Sequence, residues 1–209
     1  MIRFLLLFIC PLLLAHQTLA NTIRGSLNLK SSSAQIRSVQ KTHKGELDGV
    51  ALFTSFDMGK DYALGLDVKV GSGKVFSGKS TNYSFNEYIA HTAFKFGGRS
   101  GSLTQLNYGF SVGLGILHKS ANFDGLKFSE TQYPIFLGVD FDITKRVSMR
   151  IKGYSQLNKF DDNRAAFIGI VWPLSDKVSI VGHYSNYSSK INEIKHCGSD
   201  YIIGLEMNF

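Results

Sequence analysis

The 209 residues carry 23 Lys and Arg against 16 Asp and Glu, a formal net charge of +7 that favours anionic partners. Only three prolines stand beside 21 glycines and 12% aromatic residues, which suits a single all-β domain. Beyond the N-terminus no stretch approaches the ~18 consecutive apolar residues of a membrane-spanning helix, and neither the mean hydropathy of −0.01 nor any single segment flags a membrane protein, as expected where strands alternate.

The chain starts with Met1, Ile2 and Arg3, runs apolar from Phe4 to Leu14 and reaches the small-residue site Thr18-Leu19-Ala20. This reads as a cleaved signal peptide over residues 1–20, ahead of one domain over 21–209. Cleavage removes Arg3 and leaves 22 basic residues against 16 acidic ones, a net charge near +6. Export takes the chain away from nucleic acid and makes lipopolysaccharide phosphates the expected anionic partner. Cys197 is the one cysteine of the mature chain, so an internal disulfide is impossible.

Residues 21–48 are rich in Ser, Lys and Gln, with Leu27, Leu29, Ile36 and Val39 as apolar anchors, and suit a strand followed by an exposed loop. Tyr62, Leu64, Leu66, Val68 and Val70 alternate with small or charged residues, the period of a strand with one apolar face. A Gly, Ser and Lys loop is expected over 71–82. The next strand sets Tyr88, Ala90, Thr92, Phe94 and Phe96 against Glu87, His91 and Lys95. After a turn at 97–102, Leu106 to Ile116 give the cleanest alternation, with Gly109, Ser111, Gly113 and Gly115 suited to a crowded barrel interior. A polar loop over 118–130 leads to a strand from Tyr133 to Ile143, imperfect at Pro134 and Phe136. Further strands follow at 147–157, with Arg150 and Lys152 inward, and at 165–174, where Trp172 suits a membrane interface.

Connections alternate between short and long, the rhythm of short periplasmic turns and longer external loops. Nine strands are legible from Gly49 onward, and an even barrel takes a tenth from residues 22–40 or gives one up. The expectation is an antiparallel up-and-down transmembrane β-barrel of eight to ten strands. A soluble sandwich or lipocalin-like barrel also alternates, but the faces opposite the apolar ones hold Gly, Ser, Asn, Asp and Lys, too polar for a packed interior.

The last hairpin spans 177–209. Tyr201, Ile203, Leu205, Met207 and Phe209 share one face, and the apolar strand closed by Phe209 resembles the terminal strand by which outer-membrane barrels are recognised by their assembly machinery. The strand before it carries His183-Tyr184-Ser185-Asn186. His183 and Ser185 lie two apart on one face, about 7 Å between Cα atoms, a span an imidazole can bridge to act as general base. His-x-Ser alone is a weak signal, since it also occurs at His118-Lys119-Ser120. The five mature histidines match no metal-ligand spacing, and no cofactor motif is present.

With the polar loop, Gly198-Ser199-Asp200 and the final Phe209, this tetrapeptide resembles the C-terminal hairpin of the outer-membrane lipid A 3-O-deacylases over about the last 30 residues. The resemblance implies an eight-stranded barrel and an esterase, with Ser185 as nucleophile, His183 as base and Asp200 as the orienting acid. The family's oxyanion Asn has no counterpart in Asn192 to Gly198, so Asn186, Asn192 or a backbone N–H is asked to serve. Lys190, Lys195 and His196, with Lys119 and Lys127 from another loop, are expected near lipid A phosphates. Two readings stand. One is an outer-membrane esterase removing an acyl chain from lipid A without a metal or cofactor. The other is a non-catalytic small barrel acting as adhesin, lipopolysaccharide binder or scaffold.

Overall fold

The computed structural model describes residues 22–37, 41–58, 61–97, 108–144, 146–156, 163–192 and 194–209. The signal-peptide segment 1–20 lies outside these residues, as do most of the turn read at 97–102 and the middle of the loop at 158–164. The strands are β1 (Thr22–Arg37), β2 (Thr42–Asp57), β3 (Tyr62–Ser77), β4 (Lys79–Phe96), β5 (Tyr108–Phe123), β6 (Leu126–Gln132), β7 (Ile135–Asp142), β8 (Ser148–Ser155), β9 (Arg164–Pro173), β10 (Val178–Ile191) and β11 (Ile194–Asn208).

Apart from β6 and β7, each strand pairs antiparallel with the next in the chain, and β1 pairs with β11 from Arg24↔Asn208 to Arg37↔Lys195, which closes the sheet. β6 and β7 pair with successive stretches of β5 and form one stave, broken at Tyr133 and Pro134 because proline cannot donate to the ladder. The Pro134 carbonyl still accepts from the Gly115 N–H at 3.1 Å. The result is a closed ten-stave barrel, and its tenth stave is β1, within the stretch where the sequence left room for it.

Solvent explains the outer face. Leu27, Leu29, Leu66, Val112, Leu114, Ile168, Ile203 and Leu205 point outward, an apolar band that none of the described residues covers. Tyr62, Phe94, Phe96, Tyr108, Trp172 and Phe209 edge it at the periplasmic end, and Tyr88, Tyr184 and Tyr201 at the other, the aromatic girdles of a barrel in lipid. Tyr201 to Phe209 supplies the ~9–11 residues that a tilted strand needs to cross a bilayer.

Above the tyrosines the strands continue as a wall standing clear of the membrane. The stretches expected as loops at 71–82 and 118–130 are strand, and so are Ile194 to Gly198 of the polar loop expected before the last strand, joined at tight tips where Gly78 (φ 78°), Asp124 and Gly125 (φ 52° and 87°) and Asn192 (φ 54°) take left-handed backbone. Their Ser, Asn and Lys side chains face water, while Leu47, Val75, Tyr83, Phe85, Ala121 and Ile191 face inward and pack into a dry cluster. A second inward cluster of Ile89, Leu117, Tyr154, Ala165 and Tyr187 lies below it. Between the two runs a charged layer of Lys30, Lys69, Glu87, Lys119 and Asp200. The wall is lower at β8 and β9. Above them β6 approaches β10, where Gln132 Nε2 donates to the Lys190 carbonyl at 3.5 Å and the Lys190 N–H donates to Asn163 Oδ1 at 3.0 Å.

Candidate functional site

Period-two alternation along β10 sends Ser179, Val181, His183, Ser185, Tyr187 and Ser189 into the lumen and Tyr184 and Asn186 outward. Pairing of β10 with β11 sets Asp200 opposite Ser185. Ser185 Oγ donates directly to Asp200 Oδ2 at 3.3 Å, and Lys30 Nζ from β1 lies 3.4 Å from Asp200 Oδ1. Ser185 is 1% exposed, Asp200 2% and Lys30 4%, so the three groups form a sealed Ser-Asp-Lys cluster.

His183 sits one inward position lower. Its ring lies over Gly169, where any Cβ would collide with it, and meets the Phe53 ring edge-on at 5.7 Å. No hydrogen bond joins it to Ser185 or Asp200. A serine-histidine-acid relay needs the imidazole between hydroxyl and carboxylate, and here the hydroxyl and carboxylate bond each other while the imidazole faces the lower lumen.

The other candidates scatter for the same geometric reason. Asn186 is on the outer face, its Nδ2 donating to Ser199 Oγ at 3.3 Å, so it cannot meet an oxyanion formed at Ser185. Asn192 is the tip of the β10–β11 hairpin. Lys190 and Lys195 are directly opposite one another near that tip, on the outward face. Lys127 is exposed on β6.

Lys119 and His196, expected on external loops, are inside the barrel, 0% and 1% exposed. Both belong to strands that rise above the membrane, where the inward face is the protected one. Lys119 Nζ stands 5.5 Å from the centre of the Tyr154 ring, and burial pushes its pKa down to about 8. His196 Nε2 pairs with the Tyr187 hydroxyl at 3.0 Å, and its ring packs edge-on against Phe85 at 4.3 Å. Burial first, and then the nearby Lys30 and Lys119 charges, hold His196 down at about 3, so it is neutral at physiological pH.

The centre of the charged layer escaped the sequence reading. Lys69 Nζ bonds Glu87 Oε1 at 2.8 Å, Glu87 Oε2 accepts from the Tyr154 hydroxyl at 2.7 Å, and Lys69 lies over the Phe167 ring at 4.3 Å. A signal was present, since Lys69 and Glu87 are long charged residues on faces otherwise built of small ones. Arg37 and Lys44 were missed as well. Arg37 is directly opposite Lys195, so that Lys190, Lys195 and Arg37 form one cross-strand row on the outer wall, and Lys44 stands opposite Gln35 one row below. Among the described residues no group of His, Cys, Asp and Glu is arranged to hold a metal ion.

No family model and no curated protein matches the chain. Solved structures similar to it include Neisserial surface protein A, at 13% identity and a TM-score of 0.46 over 88% of this chain and 97% of that one. The translocator domain of the autotransporter NalP from Neisseria meningitidis is 11% identical, with a TM-score of 0.48 over 96% and 94%. The attachment invasion locus protein Ail of Yersinia pestis is 13% identical, with a TM-score of 0.43 over 90% and 99%. The closed barrel with its bare apolar band and two aromatic girdles is what places this chain: it is an integral outer-membrane β-barrel of a Gram-negative bacterium.

Proposed function

We propose that the protein is a non-catalytic barrel whose basic outer wall binds anionic saccharide, the phosphorylated sugars of lipopolysaccharide in its own membrane. The observation that carries this is the row Lys190, Lys195 and Arg37. Three cations held side by side on the outer wall raise the local concentration of anions.

Height favours sugar phosphates over the acyl esters. Lys195 is six residues above the interfacial Tyr201, which at ~3.3 Å per residue and a tilt of about 40° is on the order of 15 Å beyond the girdle. Enclosure weighs against hydrolysis at Ser185, since an ester in the outer leaflet has no path to a hydroxyl 1% exposed behind the barrel wall.

The test is binding of purified barrel to lipopolysaccharide and to its dephosphorylated form. The Arg37→Ser/Lys190→Ser/Lys195→Ser variant is expected to lose at least tenfold in affinity for the phosphorylated form only, and unchanged affinity would sink the proposal. Mass spectrometry of lipid A from expressing cells is expected to show no missing acyl chain. Loss of a chain with the native protein but not with Ser185→Ala would restore the esterase.

A further inference from the structure

The lower lumen holds a cavity of about 200 Å³, level with the lipid band and unrelated to the outer wall. One wall is made of small inward residues, Ala63 and Ala93 with Gly109, Ser111 and Gly113. A Cβ at Gly109 would meet nothing within 4 Å. Rings complete the lining: Phe53, Phe136, Tyr154, Phe167, His91 and His183. His91 stacks on Phe136 at 4.7 Å, and Phe136, Tyr154 and Phe167 follow one another at 5.5 and 6.1 Å, so the rings form a continuous aromatic lining. On the outer side the Ile89, Leu117 and Tyr154 cluster lies over the space.

Four cations and, with Asp57, four carboxylates surround the space, unequally close to one another. Arg24 and Lys95 share Asp57. Arg150 forks onto Glu206, with Nη2 2.9 Å from Oε1, and lies 3.9 Å from Asp140. Asp67 is 3.7 Å from His91 Nε2. Lys152 points into the same space, exposed to the lumen, and among the described residues has neither a carboxylate within ion-pair distance nor a hydrogen bond.

We infer that the lower lumen is a binding site for a small aromatic monocarboxylate, its ring against the aromatic lining and its carboxylate on the Lys152 ammonium. Size agrees, since a cavity of about 150 Å³ takes up benzene, and polar groups set beside the rings fix orientation. An ammonium without a direct partner selects an acid over its neutral ester, because only the acid can accept a charge-assisted hydrogen bond from it as an anion.

The probe is 4-fluorophenylacetate, followed by fluorine NMR on the refolded barrel in detergent, with its methyl ester as neutral partner. Saturable binding of the acid is expected, at least tenfold weaker for the ester and for Lys152→Met, and lost when Gly109→Leu fills the cavity. The shift in gel mobility on boiling confirms that each variant is folded. If Lys152→Met does not fold, the acid-to-ester ratio on native protein decides alone. Equal binding of acid and ester, or no saturable binding, overturns the inference.

Discussion

The upper and lower halves of this barrel are built from the same strands with the same period and opposite polarity. Below the tyrosine girdle the outward face is apolar, as with Ile180 and Tyr184 on β10 or Ile203 and Leu205 on β11, and the lumen holds glycine, serine, charges and a cavity. Above it the outward face is Asn, Ser and Lys, and the lumen holds Tyr187 and Ile191 on β10 with Leu47, Val75 and Phe85 opposite. Lipid outside allows a polar, loosely filled inside. Water outside demands a dry core, because only the inward face is left to bury. The charged layer of Lys30, Lys69, Glu87, Lys119 and Asp200 marks where the polarity changes over.

The largest test of this contrast is at the layer itself. Glu87→Ala leaves Lys69 and Lys119 without their carboxylate and is expected to cost about 3–5 kcal/mol, read as a lower midpoint for the loss of the heat-shifted gel band. Next come paired substitutions in the two halves. Leu47→Ala in the packed upper core should cost about 2–5 kcal/mol, whereas Ser111→Ala beside the lower cavity should stay within about 0.5 kcal/mol. Similar losses from both would mean that the halves are equally packed.

A smaller effect is expected from pH. The folded pKa of His196, about 3, is below the ordinary value of 6.5, so the unfolded chain binds the extra proton between those values. Its contribution is therefore complete above pH 6.5 and is lost as pH falls toward 3, at a rate of at most about 1.4 kcal/mol per pH unit. Unfolding midpoints of native protein and His196→Gln between pH 7 and 5 should converge as pH falls, and parallel curves would refute the assignment. Smallest is the outer row. Arg37→Ser/Lys190→Ser/Lys195→Ser should leave stability within about 0.5 kcal/mol even where saccharide binding is lost, because these side chains lie outside both cores.

The polarity change also explains what was legible in the sequence. Leu106 to Ile116 and Tyr201 to Phe209 were plain strands because a bilayer imposes one uninterrupted alternation. At residues 71–82 and 118–130, and on β10 and β11 above Asp200, the apolar residues move to the other face, so each strand reads as though it ends in a polar loop. Gly78, Asp124-Gly125 and Asn192, the true tips, were visible only as scattered turn residues. The same change hid Lys119 and His196, which belong to the inner face of the wall.

Sequence by itself determined the export signal as an expectation, the all-β class and the lipid-facing residues, and left room for a tenth strand in residues 22–40, because each follows from local period and composition. Tertiary structure alone decided the closure at ten staves, the Ser185 bond to Asp200 with His183 turned away, the cation row across β10, β11 and β1, and the cavity beside Lys152. Those depend on register between strands distant in the chain, and side chains meet across a barrel only once its circumference and stagger are fixed.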